Sequence, residues 1–152
     1  MTTYAYYQSP PGILKIGYRE AFITHISLVS AAPETGLPSP VSDRAAAQLL
    51  EYFAGKRTAF DFPMDPHGTP FQKRVWDALR QIPWGQTRSY GQIAAAIGKP
   101  GAARAVGQAC NKNPIWIAIA CHRVLGADHS LTGYAGGTDI KRLLLELEGH
   151  RL

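Results

Sequence analysis

The chain has 152 residues, of which 45% are hydrophobic and 18% are charged, and this composition is typical of a folded soluble protein. No apolar run approaches the ~20 residues that are needed to span a bilayer, which excludes a membrane-spanning helix. The first residues lack the basic start and the apolar stretch of a signal peptide. We therefore expect a cytoplasmic protein, or a nuclear one if the source is eukaryotic.

The net charge of +5 is distributed unevenly along the chain. Residues 1–62 hold five basic and five acidic side chains, whereas residues 63–152 hold eleven basic and six acidic ones. Within 63–124 there are eight basic side chains and only two acidic ones, Asp65 and Asp77. Such an excess of positive charge is typical of a surface that binds phosphates. Taken alone, it is equally consistent with an ordinary solvated surface.

Residues 1–62 are interpreted as a small α/β domain with a scaffolding role. β-branched and aromatic residues on both sides of a Pro-Gly turn predict antiparallel strands. These strands cover approximately 4–7, 13–16 and 22–29. A helix is expected over 45–53, with Ser42 as its N-cap and Gly55 as its stop.

Residues 63–152 are predicted to form a mainly helical domain. Apolar residues recur at helical spacing after a proline-rich linker, and Ser89 and Gln92 have the spacing of a capping box. The predicted helices cover 71–82, 90–97, 102–111 and 139–148.

The second and third of these helices are joined by a tight turn over 98–101, which is a helix-turn-helix pattern of low specificity. The helix over 102–111 has very small side chains apart from Arg104. A minor groove is only ~6 Å wide, so a thin helix could approach it where a bulky one could not. A helix packed tightly against a neighbour would also use small residues.

The two cysteines, Cys110 and Cys121, are too few for a disulfide framework or a zinc cluster. Cys110 is interpreted as a structural residue. Cys121 follows an apolar run, 115–119, that is predicted to be a short buried strand, and it precedes His122. A thiol has a pKa of ~8.5 and needs a base near neutrality, but neighbours on a straight strand point to opposite faces. The two side chains must therefore lie on a turn or be bridged by water.

Four sequence blocks resemble, in order and spacing, the O6-alkylguanine-DNA alkyltransferases, also called methylated-DNA–protein-cysteine methyltransferases. The resemblance is strong over 68–149 and weak before it. The blocks are Gly68–Phe71 with Val75–Trp76, Ile82–Pro83 through Ser89–Gly91, Ala102–Gly107, and Asn113–Pro114 leading to Cys121–Val124, Tyr134 and Gly136–Gly137.

This resemblance implies an α/β (α+β) protein. A ribonuclease H-like N-terminal domain with antiparallel strands would span 1–62, and a helical C-terminal domain with a winged helix-turn-helix would span 63–152. It implies a monomer that enters the minor groove of double-stranded DNA and flips out O6-alkylguanine, and also O4-alkylthymine. The alkyl group would pass irreversibly to a cysteine, once per molecule, without metal or cofactor.

The resemblance also implies catalytic roles. Cys121 would accept the alkyl group, His122 would deprotonate it through a water, and Glu148 would orient His122. Asn113 would hold the turn that positions the cysteine. Tyr90 would help to rotate the nucleotide and would donate a proton to the leaving guanine.

Two further groups of residues are implied for binding. Arg104 would fill the gap in the base stack, and backbone amides would hold the base oxygen. The implied DNA-binding residues are Ser89, Tyr90, Ala103, Arg104 and Gly107. The implied substrate pocket consists of Trp116, Val124, Tyr134, Ala135 and Lys141.

The chain departs from the family pattern at Ala120, where most members have proline. This change is expected to loosen the approach strand and to alter the rate or the shape of the pocket. The zinc ligands that some relatives have in their N-terminal domains are absent, because no cysteine precedes Cys110.

Two alternatives stay open. A damage sensor or a helix-turn-helix regulator would bind DNA without chemistry, although relatives of that kind lack the cysteine. A Cys-His hydrolase would need an oxyanion hole and would have no use for a thin basic helix.

Overall fold

The computed structural model describes residues 1–33, 36–126 and 137–151. The chain divides into two compact units, the first comprising 1–67 with 114–116, and the second comprising 68–113 with 117–152. Across the described ranges, no helix has the length and apolar character required to cross a bilayer.

A three-stranded antiparallel sheet forms the base of the first unit. Its strands, in spatial order, are β1 (Thr3–Ser9), β2 (Gly12–Arg19) and β3 (Phe22–Val29). Ser9 pairs with Gly12, so the two prolines between them form the turn that the sequence predicts. The predicted antiparallel strands are thereby confirmed.

Helix α1 (Pro40–Phe53) packs against this sheet. It begins earlier than predicted, because Ser39 is its N-cap and Pro40 occupies its first turn, where a missing N–H costs nothing. Ser42 is the third helical residue instead, and its hydroxyl accepts from the Ser39 N–H. The core between helix and sheet comprises Ala5, Leu14, Ile16, Ile23, Ile26, Ala45, Leu49 and Tyr52.

The second unit is mainly helical, as predicted. Its helices are α2 (Pro70–Arg80), α3 (Tyr90–Ala96), α4 (Ala103–Asn111) and α5 (Thr138–Leu147). Two short strands, β4 (Arg88–Ser89) and β5 (Val124–Leu125), pair in parallel, and a single 3₁₀ turn spans Cys121–Arg123.

Capping explains where α3 begins and ends. The hydroxyl of Ser89 accepts from Gln92 N, and Gln92 Oε1 accepts from Ser89 N, which confirms the predicted capping box. Gly98 has a φ of +76° directly after α3, a conformation that glycine adopts without strain. Trp76 Nε1 donates to Ala109 O at 2.9 Å and ties α2 to α4.

The predicted strand over 115–119 is wrong. Only Ile115 pairs, through an isolated bridge to Ile26, and the chain then turns. Ile117 has a φ of +71°, which costs a β-branched residue about 1–3 kcal/mol. The apolar run is therefore a buried turn, and it delivers Cys121 to the 3₁₀ turn.

Candidate active site

Cys121 is the first residue of the 3₁₀ turn and is only 3% exposed. The side-chain amide of Asn113 donates to Cys121 Sγ at 3.2 Å and to Ile119 O at 2.8 Å, so it closes the buried turn around the thiol. Burial raises the pKa of Cys121 well above its ordinary value, and the Asn113 hydrogen bond opposes this rise only in part. The thiol is therefore protonated at neutral pH and needs a base.

His122 presents a defined tautomer. It is completely buried, and its Nε2 lies 2.7 Å from Glu148 Oε2. A carboxylate only accepts hydrogen bonds, so Nε2 bears the hydrogen and Nδ1 bears the lone pair of the neutral ring. Nδ1 is buried and has no hydrogen-bond partner among the described residues. Burial lowers the pKa of His122 despite the opposing effect of Glu148, so the ring is uncharged near neutrality and the Nδ1 lone pair is available to accept a proton.

Arg123 is the site residue that sequence reasoning missed. Its Nε and Nη2 donate to the two oxygens of Glu148 at 2.8 and 3.0 Å, and its Nη1 donates to Ile82 O at 2.6 Å. Arg123 is 6% exposed and Glu148 is 2% exposed, so this bidentate pair is shielded from solvent. Arg123 therefore does not belong to the basic surface, although it contributes to the charge bias of 63–124.

A signal for this pair exists in the sequence. Glu148 directly follows the last residue of α5, where a negative charge opposes the helix dipole. An acid at such a position indicates a nearby cation, and Arg123, next to the buried His122, supplies it.

Lys141, Val124 and Tyr90 lie together. Lys141 is fully buried, its Nζ donates to Val124 O, and Nζ lies 5.8 Å from the centre of the Tyr90 ring. Burial lowers the pKa of Lys141. Burial, with a smaller contribution from the two thiols, raises the pKa of Tyr90 to about 12. The phenol therefore keeps its proton at neutral pH.

Of the remaining predicted DNA-binding residues, Ser89 ends β4 and is partly exposed, and the other three are on α4. Arg104 is exposed, and Ala103 and Gly107 are partly exposed. A Cβ at Gly107 would meet the Tyr90 ring at 3.8 Å, an ordinary van der Waals distance. Packing inside the protein therefore does not require glycine at position 107.

The other predicted pocket residues are Trp116, Tyr134 and Ala135. Trp116 belongs to the first compact unit, where its ring contacts Phe53 with the centroids 6.3 Å apart. Tyr134 and Ala135 lie outside the described residues.

The departure at Ala120 changes the main chain less than expected. No approach strand is present, and Ala120 has a φ of −81°, close to the approximately −65° that proline imposes. Its carbonyl accepts from Arg123 N at 3.1 Å and closes the 3₁₀ turn. The main chain before Cys121 thus has nearly the conformation that a proline would give it.

Two family models match the chain, one over each unit. Residues 70–150 match the DNA binding domain of 6-O-methylguanine DNA methyltransferase. Residues 2–66 match the ribonuclease-like domain of 6-O-methylguanine DNA methyltransferase.

Individual proteins match over nearly the whole chain. The methylated-DNA–protein-cysteine methyltransferase of Methanosarcina acetivorans is 45% identical over 152 residues, which is 96% of this chain and 97% of that protein. The protein of the same name from Mycolicibacterium paratuberculosis is 49% identical, over 97% and 93% of the two chains. The crystal structure of Mycobacterium tuberculosis OGT in complex with DNA aligns with a TM-score of 0.88 and 49% identity, covering 96% of this chain and 92% of that one.

Proposed function

The chain belongs to the methylated-DNA–protein-cysteine methyltransferase family, and from this premise we propose that it repairs O6-alkylguanine in double-stranded DNA by transferring the alkyl group to its own Cys121. O4-alkylthymine, whose oxygen is similarly placed, is a second substrate. A series of five residues carries this proposal: the partly buried Asn113 and the buried Cys121, His122, Glu148 and Arg123. A thioether is the product, so each molecule reacts once, as a monomer and without a cofactor.

Within this series, His122 is the base that takes the proton of the Cys121 thiol. Sγ attacks the alkyl carbon, the bond from that carbon to the guanine oxygen breaks, and its electron pair stays with guanine. The proton leaves Sγ for Nδ1 of His122 through one water, since Nε2 is already committed to Glu148. The imidazolium that forms is stabilised by the carboxylate, as in a Ser-His-Asp triad.

Tyr90 supplies the proton that guanine takes up as it leaves. Its pKa of about 12 keeps the phenol protonated, so a hydrogen bond to the developing negative charge is available. The proton that His122 accepted then passes through solvent to the Tyr90 phenolate, so both side chains return to their starting states. Lys141 and Val124, next to Tyr90, line the base pocket.

The DNA is bound through α4 and its surroundings. The target carbon is inaccessible in a duplex, so the nucleotide must be flipped out, and Arg104 fills the space that it leaves. Small residues around Arg104 let the helix enter the minor groove. The basic residues of 68–113 exposed on this unit are Lys73, Arg74, Arg80, Lys99, Arg104 and Lys112. We place the protein where DNA is found, in the cytoplasm of a prokaryote or in the nucleus.

Single-turnover incubation with a duplex that contains O6-methylguanine tests the proposal. Trypsin cuts after Lys112, which separates Cys110 from Cys121, so peptide masses assign the methyl group to one cysteine. One methyl group on the Cys121 peptide, with guanine restored, is the expected result. Tight binding without a mass change would identify a damage sensor, and turnover of acyl substrates would identify a hydrolase.

Replacing Arg104 by alanine should slow transfer from the duplex by about 10–100-fold, because the unstacked site costs a few kcal/mol without an inserted side chain. Transfer from a free O6-alkylguanine base, which needs no flipping, should change little. Single-turnover rates on both substrates measure this difference. Arg80→Ala, an exposed arginine at the end of α2, is the matched control. Equal slowing on both substrates would contradict the proposal that Arg104 fills the space of the flipped nucleotide.

The rate of transfer should be level from about pH 7 to about pH 9. The pKa of His122 is lowered, so the base is neutral throughout this range and loses activity only in more acidic solution. The pKa of Cys121 is raised, so a mechanism in which the thiolate forms first would instead accelerate about tenfold per pH unit.

The His122→Ala variant should show that tenfold rise, because hydroxide must then deprotonate the thiol. His67→Ala, which replaces an exposed histidine, should retain the level profile. Single-turnover rates, measured by quenching the reaction at each pH, distinguish the two profiles. A rising profile in the unaltered protein would exclude His122 as the base.

A further inference from the structure

The second cysteine lies against the first. Cys110 is in the last turn of α4, and its carbonyl oxygen is 3.5 Å from Cys121 Sγ. Each thiol also shifts the pKa of the other. Both are free thiols and both are buried. The proposed alkyl transfer gives Cys110 no role, although the fold places this second cysteine beside the alkyl acceptor.

The two thiols differ in acidity. The Cys121 thiol lowers the pKa of Cys110, whereas burial raises the pKa of Cys121. A thiolate is the form that reacts with peroxides. Cys110 is therefore the sulfur that a small oxidant attacks first, and Cys121 is the neighbour that can resolve the product.

We propose that hydrogen peroxide joins Cys110 to Cys121 in a disulfide that reversibly masks the alkyl acceptor; the consequence for repair rests on the proposed function, but the chemistry does not. The Cys110 thiolate attacks one peroxide oxygen, the O–O bond breaks, and sulfenic acid and hydroxide form. The Cys121 thiol then displaces the sulfenic oxygen as water. Two thiols and one peroxide give one disulfide and two waters, and each sulfur loses one electron.

The disulfide has a different fate from the alkylated product. A thioether is permanent, whereas dithiothreitol or a cellular dithiol reduces a disulfide and restores both thiols. A disulfide also protects Cys121 from irreversible oxidation to the sulfinic acid. Forming the bond requires the two sulfurs to close to about 2.05 Å, and the main chain of Cys110 already lies beside Cys121 Sγ.

The test exposes the intact protein to hydrogen peroxide and maps tryptic peptides without reduction. Residues 105–112 and 113–123 form separate tryptic peptides, each with one cysteine. We expect these peptides to be joined after oxidation, with the loss of two hydrogens from the intact mass. Methyl uptake by the same sample should disappear and return with dithiothreitol. Unjoined peptides in the oxidised protein would overturn the proposal.

Cys110→Ser is the matched variant, and each sample is compared with its own untreated portion. In this variant, dithiothreitol should restore none of the methyl uptake that is lost to peroxide. If it restores as much as in the unaltered protein, the proposal is overturned. If this variant does not fold, the peptide map of the unaltered protein tests by itself whether the disulfide forms. Joined peptides in a protein that takes up no methyl group before oxidation would refute the proposed function and support the disulfide.

Discussion

The Cys121→Ser variant should take up no methyl group from a duplex containing O6-methylguanine. Serine keeps the size of the side chain, but its hydroxyl is a much weaker nucleophile than a thiolate and is harder to deprotonate. Loss of the nucleophile reduces rates by about 10⁶-fold in serine hydrolases, and we expect a decrease of that order here. Intact-protein mass after long incubation measures the uptake, and base analysis of the DNA should show O6-methylguanine unchanged.

The same variant should still bind duplex DNA, because Cys121 is buried and the basic side chains of the second unit are exposed. Its affinity should fall steeply as salt is raised, which is the behaviour of contacts to phosphate. Cys110→Ser is the control, since it changes the other buried cysteine and should keep methyl uptake. Methylation of Cys121→Ser would show that another residue is the acceptor.

Helix positions in this protein could be predicted from the sequence because local chemistry specifies them. The bounds of α3 follow from the Ser89–Gln92 capping box and from Gly98, all within one short stretch. The start of α1 was misplaced by a few residues, since Ser39 and Ser42 are both plausible caps. Only the presence of Pro40 between them favours Ser39.

The segment before the nucleophile could not be predicted in the same way. A short run of β-branched and apolar residues is consistent with a strand, and periodicity alone does not distinguish it from a buried turn. The turn depends on the Asn113 side chain, which bonds to a backbone carbonyl six residues later. It also depends on a positive φ at Ile117, a conformation that propensity disfavours for isoleucine.

The electrostatics of the site were predicted only in part. His122 and Glu148 were paired on the basis of the resemblance, and the structure places them 2.7 Å apart. Arg123 was counted with the basic residues because a sequence shows charge but not burial. The acid at the end of α5 signals a cationic partner, but that partner is 25 positions away and the signal does not identify it.

Replacing Glu148 by glutamine should slow methyl transfer by about 10³–10⁴-fold in protein that remains folded. Glutamine keeps the shape of the side chain, but its amide can donate to His122 Nε2. The neutral ring would then carry its hydrogen on Nδ1, where the lone pair is needed. The same exchange of carboxylate for amide costs about 10⁴-fold in Ser-His-Asp hydrolases, for this reason.

Stability should fall as well, because Arg123 stays buried and loses its charged partner. Breaking a buried ion pair from one side costs about 3–5 kcal/mol, so denaturant midpoints should decrease clearly. Glu146→Gln, an exposed acid on the same helix, is the matched control and should change neither stability nor rate. Rates are compared at a temperature at which both variants are folded. A slower rate then reports the changed tautomer of His122 and not a loss of folded protein. If folded Glu148→Gln protein transfers methyl groups at the unaltered rate, the carboxylate only holds Arg123 in place, and the tautomer of His122 must be set by another group.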